Sequence, residues 1–311
     1  MNCVVAALAA VCLYYLGAAF FKVAAGRMEP LHGRRPVHLI RQVLSDRLWV
    51  TGLLVFTVGL ELQIVAFAEL SLGPAQPLFC STLLFLLVIC LGYFGERLVP
   101  REWAGLGLFA VATMCIALSV PTGDDPIEGL PPTPTVVPVA ALSLAVPLLL
   151  FPLVGRHATG RHARPLAGIA YGLICGLLLG TGEVAVKGLS IANGTRAHGL
   201  SLLAEPYLYL TLVAAGLGLC QGTIALQRCR MAIPMVVCTI VAKTYLLVVG
   251  SWLYGVGWPS DPLSGHLRLI GVCLAIGALF VFPRHERPRS PVPAAPLATA
   301  GPVVSLGSPR R

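Results

Sequence analysis

Two charged side chains stand four residues apart near the end of a long apolar stretch, in the sequence GTGEVAVKGLS at residues 180–190. They are Glu183 and Lys187. An unpaired charge in an apolar environment is costly, so a charge in such a place is either paired or has a function. Residues at i and i+4 of a helix are neighbours, so these two side chains can neutralise each other. Two interpretations are therefore open. The two residues form a self-neutralised pair at the outer end of a membrane span, or they act as a gate at the same place.

Two further charges, Glu61 and Lys243, have no residue of opposite charge at helical spacing. Each lies near the middle of an apolar stretch of membrane-spanning length, and each follows a threonine one helical turn earlier, Thr57 and Thr239. A lysine side chain is too short to reach the membrane surface from the middle of a span. We expect Glu61 and Lys243 to form a central ion pair that a solute or a proton opens, with a purely structural pair as the alternative.

Uncharged residues complete the candidate site. Gln63 projects from a different face than Glu61 and is expected to bond a neighbouring helix. For Gln221 two roles are open, the lining of a cavity and a hydrogen bond to another helix. Three glycines fall on one helix face and predict a close approach of a neighbouring backbone; they are Gly172, Gly176 and Gly180. Glu183 and Lys187 continue that face, so we expect both to point into the protein.

Near the ends of the spans, Lys22 is expected to extend its ammonium group to the membrane surface. Arg228 and Arg230 are expected to act as topology determinants.

The composition is that of a membrane protein, with 57% hydrophobic and 11% charged residues and a mean hydropathy of +0.84. The net charge of +9 is attributed to membrane topology and not to nucleic acid binding. The ten cysteines form no CxxC pair and lie mostly in apolar stretches. We therefore expect small buried hydrophobic side chains, with neither a disulfide framework nor a metal site.

Nine stretches reach the ~20 mostly apolar residues that a membrane span requires. They are 3–25, 48–70, 74–94, 102–120, 136–155, 165–191, 205–227, 231–254 and 266–283. If the N-terminus lies outside, nearly all arginines between these stretches fall on the inside, and the outer connection 121–135 is acidic. Because positively charged connections stay in the cytoplasm, we expect the N-terminus outside and the C-terminus inside.

The two halves of the chain contain similar stretches. LQIVAFAELSLGPAQPLFCSTLLFLLVICLGYF, from residue 62, matches CQGTIALQRCRMAIPMVVCTIVAKTYLLVVGSWLY, from residue 220, in its order of polar residue, polar junction, proline and second apolar span. The offset of five spans is odd, which predicts two units of opposite orientation, as in many secondary transporters. The predicted organisation is a first repeat unit over 1–120, an outer loop and linking helix over 121–160, a second repeat unit over 161–283, and a disordered cytoplasmic tail over 284–311.

The pattern WVTGLLVFTVGLELQIVAFAELSLGPAQPL followed by FGERLVPREWAGLGLFAVATMCIAL resembles the drug/metabolite transporter superfamily of EamA-like proteins. The similarity is to its nine-span bacterial branch and, more distantly, to NIPA-like magnesium transporters. It extends over about 1–283 and includes the Gly-Glu pair that closes a span in this superfamily, here Gly95 and Glu96. The second half has YGVGWPSD at the matching place and lacks the glutamate. The resemblance implies an all-α fold of nine transmembrane helices in two inverted four-helix units.

We expect a secondary transporter that moves a small solute or metabolite across the cytoplasmic membrane by alternating access. The alternatives are a non-transporting scaffold or assembly protein on the same fold, and a divalent-cation carrier, for which few carboxylates lie at depth. The sequence has no Walker A motif and no hydrolase motif, so we expect neither an enzyme nor a cofactor. The expected partners are the lipid bilayer and a small solute, with or without a coupled proton or cation; the sequence does not distinguish a monomer from a homodimer.

Overall fold

The computed structural model describes residues 3–29, 31, 36–69, 83–119, 133–157, 164–195, 205–255, 259 and 261–281. These residues form ten helices and, within these ranges, no strand, which confirms the predicted all-α class. In chain order the helices are α1 (Cys3–Arg27), α2 (Pro36–Ser45), α3 (Arg47–Glu69), α4 (Leu83–Tyr93), α5 (Pro100–Leu118), α6 (Thr133–His157), α7 (Arg164–Thr195), α8 (Pro206–Arg228), α9 (Ala232–Leu253) and α10 (Pro262–Val281).

Seven of the described helices are long and apolar enough to cross a bilayer, namely α1, α3, α5, α7, α8, α9 and α10. Helix α4 and the segment Thr135–Leu150 of α6 are apolar but shorter. Each of the nine predicted spans therefore contains a helix, and seven of these helices have the length and composition of a membrane span. The chain is a multi-pass membrane protein.

Helix α2 was not predicted from the sequence. It is a short amphipathic helix between α1 and α3, and it packs against α3. Leu39 and Val43 are buried against the hydrophobic core, whereas Ile40 and Leu44 are exposed. The apolar residues of α2 fall on one broad face, but a helix of only ten residues is too short for a prediction that rests on membrane-spanning length.

Helix α7 lies at the centre of the packing. It contacts α8 and α9 extensively and α3 and α6 over shorter segments, while α1 packs against α3 and α8, and α5 packs against α10. The spans of α7 and α9 are 78% and 72% buried inside the protein, against 28% for α3 and α10. Polar side chains on α7 and α9 therefore face the interior of the protein more often than those on α3.

Glycines permit the close contact between α7 and α9. Gly172, Gly176 and Gly180 all face α9, as expected for their shared helix face. A Cβ atom at Gly176 would lie 2.7 Å from Cβ of Val241 and 2.8 Å from the backbone oxygen of Cys238. Because those distances are too short for any side chain, the two backbones can approach this closely only with glycine at this position.

The second helices of the matched sequence stretches, α4 and α9, end in a similar way. Helix α4 finishes with a π-helical turn over Ile89–Tyr93, and Gly95 follows with φ of 59°. Helix α9 has a π-helical turn over Leu246–Gly250, and Gly255 follows with φ of 71°. Both glycines adopt the left-handed conformation that other residues rarely take.

Several predicted features lie outside the described residues. These are the acidic part of the outer connection, the junction at 71–73, and the tail at 284–311. The predicted division into repeat units remains a prediction.

Candidate functional site

A buried ion pair joins α7 to α9. Nζ of Lys243 donates a hydrogen bond to Oε1 of Glu183 at 2.6 Å, and each residue is only 8% exposed. With a rise of 1.5 Å per residue, both Cα atoms lie within about 5 Å of the middle of their helical spans. The close packing at Gly180, where an added Cβ would lie 3.1 Å from Cα of Ala242, brings the two helices near enough for this contact.

A cavity lies beside the ion pair, between α1, α3, α7 and α9. The remaining polar residues of its lining are Tyr14, Tyr15, Gln63, Cys238 and Thr239. About 30 Å³ of the cavity is open to the centre of a water molecule. This space holds about two waters, at ~10–15 Å³ for each. The cavity is therefore a small space with polar and apolar walls between helices of membrane-spanning length.

One side of the cavity is held by hydrogen bonds between α1 and α9. The hydroxyl groups of Tyr15 and Thr239 are 2.8 Å apart, and Thr239 Oγ1 also donates to the backbone oxygen of Met235 at 2.9 Å. The ring of Tyr14 packs edge-on against Tyr15. Thr239, a candidate from the sequence, thus lies in the cavity wall, whereas the two tyrosines were not singled out, although two adjacent phenols in the middle of an apolar span were a signal for them.

Two buried polar atoms at the cavity have no hydrogen-bond partner among the described residues. They are Oε2 of Glu183, an acceptor, and Nε2 of Gln63, a donor. Buried polar groups in folded proteins are nearly always hydrogen-bonded to protein or ordered water. Two residues of the cavity wall therefore contain one acceptor and one donor that are not bonded within the described part of the chain.

The expected pairing of Lys243 with Glu61 is wrong. Glu61 is exposed, and it lies on the opposite side of α3 from Gln63 because two residues advance a helix by about 200°. Thr57, one turn earlier, is also exposed, and its hydroxyl donates to the backbone oxygen of Leu53 at 2.9 Å. Lys243 instead pairs with Glu183, because α7 packs against α9 along most of its length.

Glu183 does not form its ion pair with Lys187, which was one of the two interpretations of this stretch, and a gate at this place stays a prediction. Both side chains point into the protein as expected, and Lys187 is only 2% exposed. Glu183, however, forms its ion pair with Lys243 across the helix interface. Gln221 is buried on α8 outside the cavity lining, and its Oε1 atom has no partner among the described residues. Depth along a span and spacing along one helix thus did not predict which charged side chains are in contact.

A second polar cluster lies where α1 and α8 end and where α5, α7 and α9 begin, and we call it the arginine-rich end. Its side chains are Lys22, Glu96, Glu102, Gln227, Arg228 and Arg230.

Lys22 and Gln227 join α1 to α8 at this end. Nζ of Lys22 donates to the backbone oxygens of Leu226 at 2.6 Å and Cys229 at 2.7 Å. Nε2 of Gln227 donates to three backbone oxygens at the end of α1, and its Oε1 accepts from the amide of Leu31 at 2.8 Å. Lys22 therefore binds backbone carbonyl groups at the end of α8, and its predicted extension to the membrane surface stays a prediction.

Glu96 caps the N-terminus of α9. Its two carboxylate oxygens accept hydrogen bonds from the backbone amides of Met231 at 2.6 Å and Ala232 at 2.9 Å. A carboxylate is favourable here because the first amides of a helix lack intrahelical partners and carry partial positive charge. The Gly-Glu pair found in the sequence thus links the end of α4 to the start of α9.

Arginines complete this cluster. Nη2 of Arg230 bonds Oε1 of Glu102 at 2.7 Å, and Nη1 of Arg228 donates to the hydroxyl of Tyr171 at 2.9 Å. Glu102 also accepts from the amide of Val99 at 2.8 Å. No side chain of the arginine-rich end has a buried polar atom without a partner in the part of the chain that the structure describes.

The fold and the cavity together define a helical membrane protein with an ion pair and unsatisfied polar atoms at the centre of its spans. Comparison with protein families, with curated proteins and with solved structures finds no match to this chain.

Proposed function

We propose that this protein is a secondary transporter that moves a small solute across the cytoplasmic membrane by alternating access around the Glu183–Lys243 cavity. The observation that carries the proposal is the pair of unsatisfied buried atoms, Glu183 Oε2 and Gln63 Nε2, on residues that line a small cavity near the middle of the α7 and α9 spans. Intramembrane ionisable groups that face a cavity typically mark the pathway of a substrate or ion. The site would bind solute at the midplane, as in other secondary transporters.

A non-transporting scaffold on the same fold is the first alternative. A scaffold needs no internal space and is stabilised most when every buried polar atom has a partner. The arginine-rich end has that character, but the cavity does not. The difference favours a transporter, because a binding site must keep groups available for its ligand.

A divalent-cation carrier is the second alternative. Mg²⁺ and Ca²⁺ require several oxygen ligands around one point. The cavity offers one carboxylate, which is already paired with a lysine, and no group of three or more His, Cys, Asp or Glu side chains that could hold a metal occurs among the described residues. These observations favour an organic solute.

The proposal includes nine membrane crossings with the N-terminus outside, arranged as two inverted units of the drug/metabolite transporter type. The helix contacts support the two units. In the proposed repeat, α1 corresponds to α7 and α3 corresponds to α8. The α1–α3 contact then corresponds to the α7–α8 contact, and the α3–α7 contact corresponds to the α1–α8 contact. The similar glycine turns after α4 and α9 agree with the same exchange. The arginine-rich end would face the cytoplasm.

Uptake of solutes into proteoliposomes tests the proposal. The full chain is purified, a panel of metabolites is screened by thermal shift, and the best hit is tested as a labelled solute. We expect Lys243→Met to lower the initial rate about tenfold or more, because it removes the cation of the cavity. Glu61→Gln is the matched comparison, since it changes a carboxylate on α3 that faces away from the cavity, and we expect wild-type rates within about twofold. Wild-type uptake by Lys243→Met, or loss of uptake only in Glu61→Gln, would refute the role of this cavity.

A further inference from the structure

We propose that the transported solute is a small organic monoanion, such as a carboxylate, and that it binds together with one proton that is carried by Glu183. This inference deepens the proposed transport function and depends on it. It follows from the net charge of the cavity, from its supply of hydrogen-bond donors, and from the free oxygen of Glu183.

The empty cavity is electrically neutral, because the carboxylate of Glu183 is in contact with the ammonium group of Lys243. A lone anion or cation that entered it would leave one net charge at the centre of the membrane, and such a charge is strongly unfavourable in a low-dielectric environment. A charged solute therefore requires a compensating change of protonation on one member of the pair. An anion requires protonation of Glu183, whereas a cation requires deprotonation of Lys243.

The reference chemistry favours the anion. In water at pH 7, about one glutamate side chain in 500 is protonated, whereas about one lysine side chain in 2500 is deprotonated. Taking up a proton on Glu183 is therefore the easier of the two changes.

The hydrogen-bonding groups lead to the same choice. Once Glu183 is protonated, its Oε2 can donate, and the ammonium of Lys243 is released from the ion pair. Nε2 of Gln63 is a donor that has no partner among the described residues. The cavity then presents three donors, and a carboxylate is the ligand that accepts from several donors at once.

The groups that face Glu183 allow this protonation. The titratable side chains near it are Lys243 and Cys238 from α9, Tyr14 and Tyr15 from α1, and Cys175 and the buried Lys187 from its own helix. Helix α3 contributes the uncharged Gln63 to the cavity. Apart from the two lysines, every titratable group in this set is a phenol or a thiol, so Glu183 is the carboxylic acid of the cavity whose protonation balances a bound anion.

The steps balance in charge and atoms. A proton from water on one side of the membrane binds Oε2 of Glu183, and the anion binds the ammonium of Lys243. The loaded cavity is neutral, as the empty one is. On the other side, the anion and the proton leave together and the Glu183–Lys243 pair forms again. Transport of one anion with one proton moves no net charge across the membrane.

Binding of four matched two-carbon probes to the full chain in lipid nanodiscs tests this inference. Glycolate is the anion, glycolamide the neutral amide, glycine the zwitterion and ethanolamine the cation. We expect glycolate to bind best, with an affinity that rises about tenfold for each unit of decreasing pH between pH 8 and pH 6, because one proton is taken up with it. Titration calorimetry in buffers of different ionisation enthalpy should report uptake of about one proton for each glycolate.

The variant Glu183→Gln gives the sharpest test, because glutamine resembles the protonated glutamate and carries no charge. We expect it to bind glycolate with the same affinity at pH 6 and pH 8 and without proton uptake, and its glycolate transport should become sensitive to membrane potential. Gln63→Leu should weaken glycolate binding several-fold and keep the wild-type pH dependence. Gln63→Leu provides a second test if Glu183→Gln fails to fold. Thermal unfolding of each variant reports whether it is folded.

Other results would contradict the inference in distinguishable ways. Best binding by glycine or glycolamide without pH dependence would refute the proton-linked anion and leave the transport function standing. Binding of ethanolamine with release of a proton would assign the opposite charge to the solute. If the full panel yields no binding and no transported solute, the proposed function itself fails.

Discussion

The cavity and the arginine-rich end are both built from charged and polar side chains at helix contacts, but they differ in how completely these side chains are bonded. At the arginine-rich end, Glu96 bonds two backbone amides and Lys22 bonds two backbone oxygens. At the cavity, Glu183 has one bonded and one unbonded oxygen. Full bonding holds helices together, whereas partial bonding leaves groups for a ligand.

This difference assigns separate tasks to the two regions. Backbone groups at helix ends are fixed partners, so contacts with them are specific to one arrangement of the helices. In the proposed transport cycle the arginine-rich end would therefore be the closed gate of the conformation seen here, and it must open for release on that side. The cavity keeps its side-chain ion pair, which can break without unfolding a helix end.

The largest effect is expected from breaking the ion pair on one side only. Lys243→Met leaves a buried carboxylate without its partner, and this should lower the free energy of unfolding by about 3–5 kcal/mol. The double variant Glu183→Gln/Lys243→Met removes both charges and should be more stable than the single variant. Thermal or chemical unfolding in detergent measures both, and equal losses for the single and double variants would show that the pair is not coupled.

A smaller effect is expected at the contact between α7 and α9 that forms the cavity wall. Gly176→Ala would place Cβ 2.7 Å from Cβ of Val241, and overpacking of this kind costs about 1–3 kcal/mol. Gly216→Ala is the matched control on α8, because no atom outside its own helix lies within 4 Å of the added Cβ. Equal unfolding temperatures for the two variants would contradict the close packing of α7 and α9.

At the arginine-rich end we expect a loss of about 1–2 kcal/mol from Glu96→Gln, because an amide replaces a charged acceptor at a helix N-terminus. Solute binding to the cavity should change little, since Glu96 is not part of its lining. Unfolding curves and solute affinity, measured on the same preparation, separate these two effects. A loss of affinity as large as that of Lys243→Met would show that the two regions do not have separate tasks.

The smallest effect concerns Asp261, which lies outside the spans before α10. Its carboxylate accepts from the amide and the hydroxyl of Ser264, each at 2.9 Å, and these bonds lower the pKa of Asp261 below its ordinary value of 3.8. A lowered pKa in the folded protein contributes stability above the ordinary pKa, and this contribution disappears as the pH falls through the lowered value. Asp261→Asn should therefore reduce stability slightly at pH 7 and much less at pH 3. Thermal unfolding at the two pH values checks the sign.

The sequence by itself determined which segments form helices and which of them are suited to a membrane. Apolar runs of about 20 residues have few alternatives to a helix in a bilayer, because every backbone polar group must be bonded within its own segment. The shared face of Gly172, Gly176 and Gly180 followed from the helical period alone. Helix α2 was missed because a short amphipathic segment has no such length signal.

The tertiary structure decided which charges meet. Depth along the spans predicts a pair of Glu61 with Lys243, and helical spacing leaves open a pair of Glu183 with Lys187 or a gate at that place. The packing of α7 against α9 instead brought Glu183 to Lys243 and turned Glu61 away from the cavity. The depth of a residue along its span follows from its position in the chain. Its direction toward a partner depends on helix rotation and helix contacts, and these are set by long-range packing that a single helical pattern does not contain.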